Sequence, residues 1–157
     1  MAKTDEYLTI RYELLPKHRQ QYEKLNRAVG SARRCYNEVL AFVQDEYLEY
    51  LDEVESRLIY GEASTRAEAK ALCTPLLSTS YASLSAMLPG LKKQYPFLEE
   101  DCYSQVLQQK LKDLSFAFKS CWKNYEKTGH FKYPKFQRKF HNDSIRRASK
   151  ETAKESL

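Results

Sequence analysis

A short stretch in the C-terminal third interleaves aromatic and basic residues and is nearly free of acid. It reads GHFKYPKFQRKF from Gly129 to Phe140 and continues as HNDSIRR to Arg147. Lysine and arginine neutralise phosphates, and aromatic rings stack on bases, so this combination predicts a surface that binds a polyanion. An ordinary solvated surface has a similar composition and stays open as the alternative.

Charge is divided unevenly along the chain, whose net charge is +5. The segment from Asp45 to Glu68 contains eight acidic residues and two arginines, a net charge of −6. The segment from Lys119 to Lys150 contains ten basic residues and two acidic ones, a net charge of +8. This asymmetry indicates a polyanionic partner for the C-terminal third. Nucleic acid is the leading candidate, and a membrane surface is the second.

The residue patterns typical of several other kinds of site are absent from this sequence. With only four glycines, neither GxGxxG nor GxxxxGK[ST] occurs, and there is no GxSxG. Twelve tyrosines raise the possibility of a tyrosine nucleophile, but the three histidines are scattered and the acidic residues show no two-metal arrangement. The four cysteines form no CxxC pair. We therefore expect reduced core cysteines, no metal and no cofactor.

The length of 157 residues suits one domain with a hydrophobic core. No apolar run approaches the roughly 20 residues that span a bilayer, and the N-terminus is too polar for a secretory signal. The sequence therefore predicts a cytoplasmic protein that does not enter membranes.

Helical periodicity dominates the segments that must position the basic stretch. Apolar residues recur at helical spacing from Leu25 to Leu58, with Gly61 as the predicted end and Gly30 as a break or a point of close packing. Thr65 and Glu68 fit a capping box, and Thr74-Pro75 predicts a further helix start.

The clearest helix is predicted from about Ser104 to Tyr125. Its apolar stripe consists of Leu107, Leu111, Leu114, Phe118, Cys121, Trp122 and Tyr125. A separate polar face carries Gln105, Gln108, Lys112, Lys119 and Lys123. Between the helical segments, MLPGLKKQYPFL is predicted to be a connector around a short helical turn.

Residues 7–15 alternate as a β-strand, with Leu8, Ile10 and Tyr12 on one side. The predicted fold is therefore mainly α, a helical bundle with one N-terminal β-strand that lacks its full set of sheet partners. A lone strand leaves backbone groups unpaired, so it either pairs with HFKYPKF or belongs to a sheet outside this chain.

Four local patterns, in this order, resemble the N-terminal region of the transposon-encoded TnpB (OrfB) proteins and of the miniature type V CRISPR effector nucleases. The first is the strand followed by LLPKHRQQYEKLNRAVGSARRCYNEVL, and the second is LPGLKKQYPFLEE, where Phe97 replaces the more usual Trp. In the first pattern the matching residues are Pro16, Gln20, Leu25, Gly30, Arg33, Tyr36, Asn37 and Leu40.

The third and fourth patterns lie in the C-terminal half, and the resemblance covers roughly residues 7–147. The fourth joins Tyr133-Pro134-Lys135-Phe136 to Ser144-Ile145-Arg146. In the third, YSQVLQQKLKDLSFAFKSCW, the matching residues are Gln105, Leu107, Gln108, Leu111, Asp113, Leu114, Ala117 and Phe118.

The resemblance implies a role in transposition and DNA recombination, through a helix-turn-helix region or the recognition lobe of an RNA-guided protein. Such a lobe holds a guide-RNA/DNA duplex by shape and backbone charge. Full-length relatives continue into a RuvC-like nuclease and a zinc ribbon, whereas this sequence ends at Leu157. We therefore expect no nuclease activity, and the chain is not predicted to be an enzyme.

We predict four regions: 1–16, the strand of an incomplete barrel; 17–128, a helical bundle; 129–147, a basic aromatic hinge; and 148–157, a disordered tail. The predicted function is DNA or RNA binding. The candidate nucleic-acid-binding residues are Arg11, Arg33, Gln105, Lys112, Lys119, Lys123, Lys132, Tyr133, Lys135, Phe136, Arg138, Lys139, Arg146 and Arg147.

Two other interpretations stay open. The chain is alternatively a protein-interaction module that docks on a separately encoded nuclease half or on itself, through its acidic helix or its strand edge. It is otherwise an inert remnant of a truncated transposon gene.

Overall fold

A computed structural model describes residues 15–141, and the six helices found there connect without any β-strand among the described residues. The mainly α prediction is confirmed. The predicted N-terminal strand, its incomplete barrel and the predicted tail lie outside the described residues. Arg11, Arg146 and Arg147 lie outside them as well.

The first helix, α1, extends from Arg19 to Ile59 without interruption. At 1.5 Å per residue it is about 60 Å long. Gly61, with φ of 72°, follows its end as predicted. The prediction for Gly30 was wrong, because the helix continues through it and a Cβ there would contact only the Arg33 side chain, at 3.8 Å.

Three further short helices and one single turn connect the two long helices. They are α2 (Arg66–Leu72), α3 (Tyr81–Ala86), α4 (Leu88–Gln94) and α5 (Phe97–Glu100). The predicted capping box is present, since Thr65 Oγ1 accepts the Glu68 N–H and the Glu68 carboxylate accepts the Thr65 N–H. This pair satisfies donors that the first turn of α2 leaves open.

The predicted helix start at Thr74-Pro75 was wrong. Residues 74–79 are not helical, and α3 begins only after Ser80, whose hydroxyl accepts the Ser83 N–H. Proline's fixed φ suits an extended chain as well as a first helical turn, so the dipeptide alone could not decide.

The last helix, α6, spans Ser104–Thr128 and confirms the clearest prediction. Its Leu107, Leu111, Leu114 and Phe118 are buried against α1, α3, α4 and α5. Gly129, with φ of 72°, ends the helix in a left-handed turn, and its N–H donates to the Tyr125 carbonyl at 2.8 Å.

The core is divided into two hydrophobic clusters. The larger one joins α1 between Ala32 and Val43 to α3, α4, α5 and α6. The smaller one contains Val54, Ala63, Ala69 and Cys73, where α2 packs against the second half of α1. Residues 45–73, which we call the acidic arm, therefore have a separate packing centre. None of the helices in 15–141 combines the length and apolar character needed to cross a bilayer.

Candidate nucleic-acid interface

The segment after α6, residues 129–141, turns back along the helical bundle; we call it the strap. Phe131 contacts Trp122 near the end of α6, whereas Gln137 contacts Lys110 near its beginning. On α1, Tyr133 meets Tyr47. The strap therefore lies between α1 and α6 and runs antiparallel to α6.

Asn37 of α1 fixes the middle of the strap by pairing with its backbone. Its amide nitrogen donates to the Gln137 carbonyl at 2.9 Å, and its amide oxygen accepts the Gln137 N–H at 2.8 Å. Two such bonds contribute about 1 kcal/mol each. The buried Lys110 ammonium also donates to Oε1 of Gln137, at 3.3 Å. No strand ladder forms in the strap, yet Asn37 satisfies its backbone as a neighbouring strand would.

Aromatic rings hold the beginning of the strap. Phe131 lies with its centroid 4.5 Å from Trp122 and 5.1 Å from Tyr133, whose ring meets Tyr47 edge to face at 6.0 Å. Burial raises the pKa of the Tyr133 phenol, with a smaller contribution from Tyr47. Tyr133, predicted to contact nucleic acid, thus uses part of its ring surface within the protein.

The other strap side chains face solvent. Phe131, Tyr133 and Gln137 are half-buried and Pro134 is buried, whereas the residues between them are exposed. The predicted binding residues on this outer side are Lys132, Lys135, Phe136, Arg138 and Lys139, all exposed.

The polar face of α6 forms a second basic surface. Gln105, Lys119 and Lys123 are exposed, and Lys112 is half-buried with its ammonium 5.2 Å from the centre of the Tyr81 ring. Phe116, 60% exposed, lies on the same face under the Lys119 ammonium. Phe116 was missed in the sequence; its spacing of four from Lys112 and three from Lys119 would have placed it here.

The two surfaces are separate along the first half of α6 and meet at its end. Lys110 contacts the strap, while Lys112 faces α3, and two residues of helix place them on nearly opposite sides. At the other end, Phe131 of the strap covers Trp122, which lies one turn beyond Lys119 and next to Lys123. The lysine face of α6 and the strap are therefore continuous only at this end.

Arg33 lies half-buried on α1, one helical turn before Asn37 and thus on the side that faces the strap. Asn37, Lys110 and Gln137 were not predicted to matter for the site. They position the strap. Asn37 was among the residues of the first family pattern, whereas no local signal in the sequence pointed to Lys110 or Gln137. Among residues 15–141, no group of three or more histidine, cysteine, aspartate or glutamate side chains is arranged to hold a metal ion.

Comparison with known proteins gives one match. Residues 7–51 match a family model described as a helix-turn-helix domain, that of the OrfB proteins. No curated protein and no solved structure matches the chain. In the described part of the match, α1 is continuous from Arg19 onward, so these residues contain no turn between two helices. The match confirms the predicted resemblance to the N-terminal region of the TnpB (OrfB) proteins and confines it to residues 7–51.

Proposed function

We propose that this protein is a DNA-binding, transposase-related module that grips a duplex by backbone charge. One observation carries the proposal: the strap is anchored by its inward side chains, so its outward cations are presented on a fixed backbone. If the lysines lay on a loose segment, its backbone would lose conformational entropy on binding, which would weaken the affinity. In the anchored strap, folding has already ordered the backbone, so binding does not incur this cost.

The grip combines the strap with the basic end of α6. Phosphate contacts from lysine and arginine fix a protein on nucleic acid without reading its sequence. The described candidates for these contacts are Lys112, Lys119, Lys123, Lys132, Lys135, Arg138 and Lys139. If about six phosphates are neutralised, the logarithm of the affinity should fall with the logarithm of salt concentration with a slope of about −5.

Backbone contacts of this kind suit DNA and a guide-RNA/DNA duplex alike, and we extend the proposal to both. We also propose that the chain binds without cleaving. The exposed groups of the strap and of the α6 face are cations, amides, aromatic rings and the imidazoles of His130 and His141, and none of the strap residues carries a carboxylate; such groups bind phosphates and bases.

The test compares two double variants of equal charge change. Lys135→Glu/Lys139→Glu reverses two strap cations, and Arg66→Glu/Lys70→Glu reverses two exposed cations on α2 in the acidic arm. Fluorescence anisotropy with a labelled 20-base-pair duplex should show at least tenfold weaker binding for the strap variant and a slope less steep by about two. The arm variant should stay within about twofold of the unchanged protein.

Circular dichroism of both variants should match that of the unchanged protein, since all four side chains are exposed. The labelled duplex should remain full length in buffer with Mg²⁺. Equal weakening in both variants would mean that only net charge matters. A salt slope near zero would remove the proposal altogether.

A second candidate function is protein interaction through the acidic arm. The arm exposes apolar side chains beside its carboxylates: Leu48, Ile59, Tyr60 and Leu72 are between 53% and 79% exposed. Scattered exposed apolar residues are common, but these four lie on α1, on α2 or between them, in the segment with the highest density of acidic residues. A second copy or a separately encoded nuclease half would fit such a surface, and the oligomeric state distinguishes the two functions.

A further inference from the structure

A cavity of about 270 Å³ opens where the strap meets the end of α6. Tyr47, Phe118, Trp122, Phe131 and Tyr133 line it, so aromatic side chains from α1, α6 and the strap surround a single space. Residues 76–79, which are neither helix nor strand, line another side. The volume lies just below the range of small-molecule pockets, about 300–1,000 Å³, and suits a small planar ligand.

Polar residues lie on the wall formed by α1 and residues 76–79. They are the half-buried Glu46, one residue before Tyr47, and Ser78 and Thr79. A carboxylate accepts hydrogen bonds from an exocyclic amino group such as N4 of cytosine. The cavity therefore offers stacking surfaces and a hydrogen-bond acceptor together.

Exposed cations lie on the strap and on α6, the two elements that meet at the cavity, although none of them lines it. Lys132 lies between Phe131 and Tyr133 on the strap, and Lys119 lies one turn before Trp122 on α6. Both side chains are exposed. A nucleotide combines a planar base, which fits an aromatic cavity, with an anionic phosphate, which exposed lysines of the strap and of α6 can bind outside the cavity.

We propose that this cavity binds one unstacked nucleobase of a single-stranded or locally opened nucleic acid, with its phosphates held by Lys119 and Lys132. The base stacks against Trp122 and the strap rings, and Glu46 favours bases that carry an exocyclic amino group. This inference rests on the proposed function and adds base contact to backbone contact. It assigns Trp122 and Glu46 to recognition, neither of which was among the predicted binding residues.

Intrinsic fluorescence tests the proposal directly, because Trp122 is the single tryptophan of the chain. The probes are a 12-nucleotide strand of deoxycytidines and an abasic 12-mer with the same number of phosphates. Stacking of a base on Trp122 should quench its emission with the cytidine strand and leave it unchanged with the abasic strand. Anisotropy of the same labelled strands reports binding independently of quenching.

Three variants test the contributions of Trp122 and Glu46. Trp122→Leu removes a stacking ring and should weaken binding of the cytidine strand about tenfold, whereas Trp122→Phe, the matched control, should restore most of it. Trp122 is 45% exposed, so both variants should fold. We expect the unchanged protein to bind the cytidine strand about fivefold more tightly than a thymidine strand. In Glu46→Gln this ratio should fall to near one, because the amide can also donate a hydrogen bond to the thymine carbonyl.

The outcomes separate this inference from the proposed function. If both strands bind equally tightly and neither quenches Trp122, the base site is refuted while phosphate binding stands. If neither strand nor the duplex binds at low salt, the proposed function fails and the base site fails with it. Quenching by the cytidine strand alone, lost preference in Glu46→Gln and rescue by Trp122→Phe would together support the site.

Discussion

The four cysteines differ in how far solvent reaches their thiols. Cys35, Cys73 and Cys102 are buried, whereas Cys121 is half-buried, and all four are free thiols in the structure. Burial raises the pKa of the Cys35 thiol to about 12, and it raises the pKa of Cys102 and Cys121 as well. A thiol reacts as its thiolate, so both access and ionisation oppose modification of Cys35.

We expect iodoacetamide at pH 8 to label Cys121 first in the native protein and Cys35 only at the rate of unfolding. At this pH the Cys35 thiol stays protonated, since its pKa lies well above 8. Peptide mass spectrometry over a time course would follow each site, with labelling in denaturant as the control for complete reaction. Rapid native labelling of Cys35 would contradict the packing of α1 against α5 and α6.

At the scale of elements, the two glycines of the long helices have opposite roles. Gly30 lies inside α1 with helical geometry and room for a methyl group, whereas Gly129 adopts a left-handed φ of 72° at the end of α6. Glycine costs a helix interior roughly 0.5–1 kcal/mol relative to alanine. In the left-handed region, a side chain costs about 1–2 kcal/mol.

Gly30→Ala should therefore raise the free energy of unfolding by about 0.5–1 kcal/mol, and Gly129→Ala should lower it by about 1 kcal/mol or more. Urea denaturation monitored by circular dichroism measures both, and each variant serves as the control for the other. Destabilisation by Gly30→Ala would show that α1 is broken or closely packed at this position in solution.

The uninterrupted course of α1 differs from the helix-turn-helix that the name of the matched family model describes. A helix-turn-helix places two short helices around a tight turn, but residues 19–59 form a single helix that supports both the bundle and the acidic arm. The cations proposed to bind phosphates lie on α6 and the strap, outside the matched residues 7–51. Binding by those surfaces would thus depend on α1 as the element that positions them.

At the scale of the whole molecule, acidic and basic residues are concentrated in different segments. The acidic arm begins where Tyr47 of α1 meets Tyr133, and the strap and α6 carry the cations proposed to bind phosphates. Attraction between these surfaces on different copies is screened beyond about 8 Å at physiological ionic strength.

We expect light scattering coupled to size-exclusion chromatography to give a monomer of 18.5 kDa at 150 mM salt, because salt at this concentration screens the attraction between oppositely charged surfaces. At 20 mM salt a larger mass would indicate association driven by opposite charges. Arg66→Glu/Lys70→Glu, which makes the arm more acidic, should strengthen such association. A salt-independent dimer would favour the protein-interaction function through the apolar residues of the arm.

The sequence alone predicted the features that depend on neighbours a few positions away. The periodicity of α1 and α6, the capping box at Thr65 and the division of charge could all be derived from it. It failed at Gly30 and at Thr74-Pro75, where one residue type is compatible with two backbone conformations and only packing chooses between them.

Only the tertiary structure determined which side chains of the basic aromatic stretch point inward and which face solvent. The stretch was predicted to be a hinge, a description that stays a prediction, but its partners Asn37 and Lys110 lie 100 and 27 positions from Gln137. Local patterns carry no information about such distant pairs. By anchoring the strap, these pairs direct Phe131 and Tyr133 to a cavity and Lys132 and Lys135 to solvent. The sequence by itself thus determined which groups could bind a polyanion, and long-range packing determined which of them face it.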